Sequence, residues 1–484
     1  MSAGDANLVK AHTSAARRWW RESDMPDPLG YQDVSGRPDL VAAVLDGRRS
    51  DGRAVRSARP FTYPKPSTGT RTMVRLDPYT DLLYRERVGS VVRQIERHLT
   101  GGVRHTRCEF TGRTWAAHDH READKQFRAD LKRLRREHPA TELGLDIKSH
   151  FPTVAIDDLH NRLSDAGASD AQIERIAAVV NEIDGVAGVP GLPIGPEGSA
   201  PLGTVALATV DQLIDRLGYE MIRWMDDIAI RGVAPGDKDA VEAAVEAELA
   251  ALGQTLNSDK TTYDDVDEVV DRERSTDDGA PGPAAIFDGD PIAWLNEAAV
   301  DGATGNVKFV LGGLRKREDP DALEVLRDHP WIMERFPKHA GSYIRAVRDE
   351  SPSRVEWIQD YLAEPVTAST APAHLHLVRS LTPELLPARL GALLFERGAQ
   401  LTGTQHSCLA DHLLAAGSRS AEKVGTRRIR ALEFAREDGP LDGRRAALAA
   451  FQRGGIPKPG MDGLAAIARS EHELIPTIEY VKAS

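Results

Sequence analysis

The stretch RWMDDIAIRG, residues 223–232, constrains this chain more than any other. Asp226 and Asp227 follow Ile222, Trp224 and Met225 and precede Ile228 and Ile230. The apolar flanks read as two strand halves around a turn, with two carboxylates at its tip. Like charges this close strain each other, and burial makes the strain worse. A divalent cation is one natural compensation. A tight-turn aspartate pair partnered by arginines is the other, and the dipeptide alone does not choose. Three more Asp-Asp pairs stand at 157–158, 264–265 and 277–278. The pair in TTYDDVDEVVD sits in an acidic, loop-like stretch; only 226–227 lies between apolar strand halves.

A third carboxylate shifts the balance. LGLDIKSHF, residues 143–151, reads as a strand ending in Asp146 directly before a turn. Three carboxylates brought together can hold two Mg²⁺ ions about 3.5–4 Å apart for in-line phosphoryl transfer. One ion lowers the pKa of an attacking hydroxyl; the other neutralises a triphosphate and its leaving pyrophosphate.

The remainder of the chain bounds the setting. Its 484 residues suggest two to four domains, and 41% apolar with 28% charged residues is an ordinary globular balance. No apolar run approaches the roughly 20 residues that span a bilayer, and MSAGDANLVKAHTSAARRWW lacks the apolar stretch of a secretion signal. The two cysteines, Cys108 and Cys408, fit a reducing compartment and exclude a disulfide framework. A cytoplasmic protein without a membrane partner is expected. The net charge of −12 is unevenly spread: residues 1–140 hold 27 Lys+Arg against 18 Asp+Glu, and the remainder 35 against 56. A basic front half suits a polyanionic partner; an acidic back half does not.

Four regions are expected. Residues 1–140 mix short apolar runs with Arg-rich helices. Residues 141–265 alternate strand and helix patterns, among them the helices DAQIERIAAVVNEI and KDAVEAAVEAELAALG. Residues 266–292, with RSTDDGAPGPAA, read as a linker. From 293 to 484, short amphipathic segments such as RVEWIQDYLAE and RRIRALEFARE read as an α-helical repeat of unfixed period or an irregular helical domain.

Over roughly residues 60–265 the chain resembles the reverse transcriptases. Asp146 sits as in their D-I-K-x-x-F motif, and WMDD at 224–227 stands where they carry an aromatic–x–D–D box. GLPIGPEGSAPLGTVAL at 191–207 is similar to their G-L-P-x-G-x-x-x-S segment, and LGQTLNSDKT at 252–261 to L-x-L-N-x-x-K-T. YPKPSTGTRTMVRLDPYTDLLY at 63–84 matches the fingers motifs. The resemblance implies an α/β fingers–palm fold with an antiparallel palm sheet, followed here by an all-α helical-repeat (HEAT-like) domain. It implies an RNA-directed or template-independent DNA polymerase, with dNTPs as substrates and two Mg²⁺ or Mn²⁺ ions per site. Asp146 and Asp226 become the principal metal ligands and Asp227 a third. Lys260 matches a position proposed to protonate pyrophosphate. Phe151 matches the steric gate that would crowd a ribose 2′-OH. Lys65 and Arg71 supply cations for the triphosphate, and Ile194, Gly195 and Ser199 line the nucleotide.

Departures from the family pattern point within it. Many members have Gln at Ile194, Tyr or Phe at Trp224, and Ala or Val at Met225. The GLPIGP form and the helical tail resemble the bacterial abortive-infection and defence-associated reverse transcriptases. That implies antiphage defence, a DNA product, a possible non-coding RNA template or scaffold, and homo-oligomers through the tail. A protein-priming hydroxyl would fall on Tyr31 or Tyr480 by position alone; each reads more simply as an ordinary tyrosine. Two alternatives stay open: an enzyme copying a dedicated non-coding RNA (retron or group II intron-like), and a catalytically silent RNA-binding or oligomeric scaffold.

Other stretches are less specific. READKQFRADLKRLRREH, residues 121–138, places Arg128, Lys132, Arg135 and Arg136 on one broad helix face. That face suits a phosphate backbone or an internally ion-paired surface. His105, Cys108, His118 and His120 fit no standard zinc spacing. Trp19 and Trp20 suit anchoring of the N-terminal segment better than base stacking.

Overall fold

The structure is a computed structural model, and it describes residues 3–22, 32–65, 69–100, 102, 108–111, 114–117, 120–137, 141–264, 283–381 and 472–483. Among them are strands β1 (Ala58–Pro64), β2 (Thr70–Leu76), β3 (Cys108–Thr111), β4 (Thr114–Ala117), β5 (Glu142–Asp146), β6 (Glu220–Trp224), β7 (Asp227–Arg231) and β8 (Thr262–Asp264). The chain divides into two compact units. The first holds residues 1–19, 45–60 and 74–271; the second holds 20–44, 61–73 and 272–484. No helix among the described residues is long and apolar enough to cross a membrane.

The first unit is built on a four-stranded antiparallel sheet in the order β6-β7-β5-β8. In chain order this is strand, helices, hairpin, helix, strand, the split β-α-β arrangement. Strand β5 is central because its residues tolerate burial on both faces: Leu143, Leu145 and Asp146 are all buried. Residues opposite one another in the register share a face. One face therefore presents Leu143, Leu145, Ile228, Ile230 and Arg223 to the interior. The other carries Asp146, Asp227 and Trp224 at one end, with Gly144, Ala229 and Ile222 behind them. The helix His120–Glu137 covers that second face, setting Phe127 and Leu131 against Ile222 and Ala229.

Helices expected from periodicity form where the apolar spacing requires. Asp170–Ala187 begins with a capping box of Ser169 and Gln172 and buries Ile173, Ile176, Val179, Val180 and Ile183 on one face. Lys238–Ala251 buries Val241, Val245 and Leu249. Helix Pro78–Gly89 starts on Asp77, whose carboxylate accepts from the Tyr79 and Thr80 amides and pairs with buried Arg48 at 3.1 Å.

His12, on the helix Ala3–Glu22, is buried, and its Nδ1 lies 2.9 Å from Thr114 Oγ1. Burial, then the charges of Arg85 and Arg49, lower its pKa to about 4. The unfolded chain therefore binds a proton between pH 6.5 and 4 that the folded chain refuses. Stability is expected to fall as pH drops through that window, by up to about 3 kcal/mol. A His12→Gln variant should lose this slope in urea melts at pH 7, 5.5 and 4.5; an unchanged slope would reject the assignment.

In the second unit, every described element from Pro283–Asp288 to Ala371–Val378 is helical. Its core gathers Leu295, Leu311, Leu314, Leu326, Ile344, Ile358 and Leu375, joined by Phe61 and Tyr63 of β1. Thr477 Oγ1 donates to buried Asp33 at 2.7 Å, tying the helix Ile475–Ala483 to Gln32–Gly36. Tyr480 lies on the former helix, its side chain outside the described residues; Tyr31, residues 265–282 around the expected linker, and residues 382–471 also lie outside them.

Candidate active site

The acidic site lies at one end of the split sheet. Strand β5 ends on Asp146, and Asp227, the first residue of β7, stands directly opposite it in the register. The hairpin joining β6 and β7 turns on Met225 and Asp226 alone. Asp146 is buried, Asp226 half-buried, and Asp227 keeps an exposed flank. The three aspartates singled out by sequence therefore meet at one sheet end.

Their electrostatics follow. Burial, opposed by a backbone hydrogen bond within its own turn and by His150 but reinforced by Asp146, raises the Asp226 pKa. Burial, then the Asp226 charge and a hydrogen bond with Asp146, push Asp227 up to about 7. Asp146 itself is engaged on both oxygens. Lys260 Nζ donates to Oδ1 at 3.0 Å and Asn257 Nδ2 to Oδ2 at 2.7 Å. The Asn257 amide also donates to the Asp146 carbonyl at 2.8 Å, which seats the loop before β8 against the end of β5. Burial pulls the Lys260 ammonium down, but its bond to Asp146 and the nearby Asp227 and Asp226 charges outweigh this and raise it.

The donor chemistry suits a hard divalent cation: carboxylate oxygens whose mutual repulsion a cation would relieve. The side-chain placement is a closed one. Among the described residues, no three or more His, Cys, Asp or Glu side chains are gathered as a ready ligand set. A cation reaching Asp146 would compete with the Lys260 ammonium. Lys260→Met should therefore tighten Mn²⁺ binding by roughly tenfold, the worth of one nearby unit charge in a partly exposed site. Free Mn²⁺ measured by electron paramagnetic resonance tests this, and an unchanged affinity would refute the competition.

Around the aspartates, a second layer holds the turn. Arg223 of β6 is buried and pairs with buried Asp211 at 2.6 Å. His150 is also buried, its ring nitrogens 3.0 Å from Gln254 Oε1 and 2.9 Å from the Gly203 carbonyl. Phe151 is half-buried beside it, on the short helix His150–Thr153, with ring centroids 5.4 Å apart. Gly203, on the helix Ser199–Ala206, permits this contact: a Cβ there would lie 3.0 Å from the Phe151 ring. Gly195 has φ +124°, open in practice only to glycine. Ile194 is half-buried and its carbonyl accepts from the Val74 amide at 2.7 Å. Ser199 is buried, 3.2 Å from the Tyr84 hydroxyl, so its side chain serves packing and its backbone shapes the loop.

Arg128, Lys132 and Arg136 are exposed on one face of His120–Glu137, at i, i+4 and i+8; the Arg135 side chain is outside the described residues. Lys65 and Arg71 are exposed on the β1–β2 hairpin, in the second unit. Arg223, Asp211, Asn257, His150 and Gln254 were missed in the sequence. Arg223, Asn257, His150 and Gln254 were within reach of it, since all four sit inside the quoted motifs, but their partners could not be read there.

A split β-α-β sheet with three acidic residues at one end is the class of site defined here. No protein-family profile matches the chain, and no curated protein does. Among solved structures, telomerase from Candida albicans with a TWJ fragment of telomeric RNA aligns at 12% identity and a TM-score of 0.30. That alignment covers 74% of this chain and 68% of that one. Apo telomerase from Candida tropicalis aligns at 10% identity and a TM-score of 0.31, covering 77% and 73%. Scores of this size do not define a shared fold.

Proposed function

We propose that the chain is a nucleotidyltransferase of reverse-transcriptase type, adding dNTPs to a primer hydroxyl by phosphoryl transfer. The observation that carries this reading is the register pairing of Asp146 with Asp227, with Asp226 in the adjoining turn. Three acidic residues from two distant segments stand at one sheet end, in the motif order of polymerases of this kind.

Asp146, Asp226 and Asp227 would hold Mg²⁺ or Mn²⁺, which would activate the attacking hydroxyl and neutralise the triphosphate. The chain's own groups do the rest. Lys260, held protonated beside Asp146, can release a proton to departing pyrophosphate. The Phe151 ring, seated on Gly203, would crowd a 2′-hydroxyl and select deoxynucleotides. The exposed cations of the helix His120–Glu137 suit a nucleic-acid backbone. The GLPIGP loop and helical second unit support a role in antiphage defence, with a DNA product, an RNA template or scaffold, and oligomers formed through a HEAT-like tail.

A second reading has its own observation. With both Asp146 oxygens engaged by Lys260 and Asn257, the chain could keep this sheet as a silent RNA-binding scaffold. Labelled dNTP incorporation by the purified full chain in Mg²⁺ or Mn²⁺, with and without added template and primer, separates the two. Sequencing of product and of co-purifying nucleic acid identifies the template. The polymerase reading fails if the folded chain incorporates nothing under any of these conditions; the scaffold reading then holds if RNA still co-purifies.

A further inference from the structure

Arg223 is an unexpected residue at its place. It lies on the interior face of β6, among Ile228, Leu145 and Met221, and is fully buried. An apolar side chain there would avoid the desolvation of a guanidinium. Its guanidinium hydrogen bonds are instead directed at a structural junction. Nε and Nη2 donate to Asp211 Oδ1 and Oδ2 at 2.7 and 2.6 Å. Nη2 also donates to the Thr204 carbonyl at 3.1 Å, and Nη1 to the Met225 carbonyl at 2.8 Å.

Those acceptors lie on three elements. Asp211 belongs to the helix Ala208–Arg216 and Thr204 to Ser199–Ala206, whose Gly203 seats Phe151. Met225 is in the turn between β6 and β7, immediately before Asp226. Met225 has φ +58°, a left-handed conformation that a non-glycine residue keeps only when its surroundings impose it. The Thr204 side chain also touches this residue, its Oγ1 lying 3.7 Å from Met225 Sδ. The planar fork of arginine, unlike a lysine ammonium, can hold Asp211 bidentately while reaching two carbonyls at once.

We infer that Arg223 is a positioning residue: a strut that locks the Asp226–Asp227 turn to the helix seating Phe151, so that ligand and metal sides of the site move as one. The inference rests on the reading of this turn as catalytic, but its structural half is measurable without turnover. Two variants test it. Arg223→Lys keeps the charge and loses the fork. Arg223→Met with Asp211→Leu removes both buried charges and refills their space.

Hydrogen–deuterium exchange should show the amides of residues 224–228 exchanging about tenfold faster in both variants, through local opening of the turn. Turnover should fall by about a hundredfold with KM for dNTP unchanged within about twofold, the signature of misplaced reacting groups. The double variant should melt near the parent temperature. A well-folded double variant with parental exchange in 224–228 and parental turnover would overturn the inference. If the parent protein incorporates no dNTP, the functional reading fails by itself, and faster or unchanged exchange still decides for or against the strut.

Discussion

Asp146→Asn is expected to lower dNTP incorporation by about a thousandfold or more, since it removes a full negative charge where the proposed polymerase would hold a cation. Asparagine keeps the shape and one acceptor for Asn257 Nδ2, so the strand end should stay seated. The Lys260 contact that is lost involves a side chain 60% exposed, and such pairs are worth little. Relief of repulsion against Asp227 works in the opposite direction. The melting temperature should therefore stay close to the parent's while activity collapses. Asp226→Asn should behave the same way, and Asp227→Asn less severely, because its side chain keeps a solvent-exposed flank. Single-turnover incorporation across the three variants is the measurement. Parental activity in folded Asp146→Asn would remove the basis for a polymerase.

Phe151→Ala carries the second large effect, on substrate choice rather than rate. The ring is half-buried, against His150 on one side and Gly203 on the other. Its position is held by those contacts and not by a hydrogen bond, so truncation opens space without leaving a polar group unpaired. The ratio of kcat/KM for dNTP over the matching NTP should fall by about two orders of magnitude, through admission of the 2′-hydroxyl. Activity with dNTPs should change much less. Stability should drop by about 1–3 kcal/mol, below the cost for a fully enclosed phenylalanine. An unchanged sugar ratio in a folded variant would assign Phe151 to packing alone.

Much of the first unit was legible because its signals are local. Alternating apolar residues around Asp226 and Asp227 mark a hairpin, and β6 and β7 form there. The run ELGLD ends in a strand at Asp146, and the helices Asp170–Ala187 and Lys238–Ala251 follow their apolar spacing. The linear order of motifs gave no register, because pairing β5 with β7 is decided by burial of both strands and not by either alone. Nor did it show what Asp146 touches: Lys260 and Asn257 arrive from more than a hundred residues away.

The β1–β2 hairpin shows the limit from the other side. Its sequence reads as fingers, yet Phe61 and Tyr63 are built into the helical core of the second unit. A short amphipathic strand records only that one face must be covered, not by which element. Arg223 is similar. In the sequence it is one cation in a strand; only the folded chain supplies Asp211, Thr204 and the Met225 carbonyl to satisfy its fork.

By itself, then, the amino-acid order determined which residues are acidic, which turn exposes them, and where helices start and stop, since these depend on neighbours within a few positions. Tertiary structure decided the register that sets Asp146 against Asp227 and the ammonium that occupies Asp146. It also decided the buried guanidinium bracing the turn. Each of those is a contact between distant segments, whose free energy exists only once the intervening chain has been folded and its entropy lost.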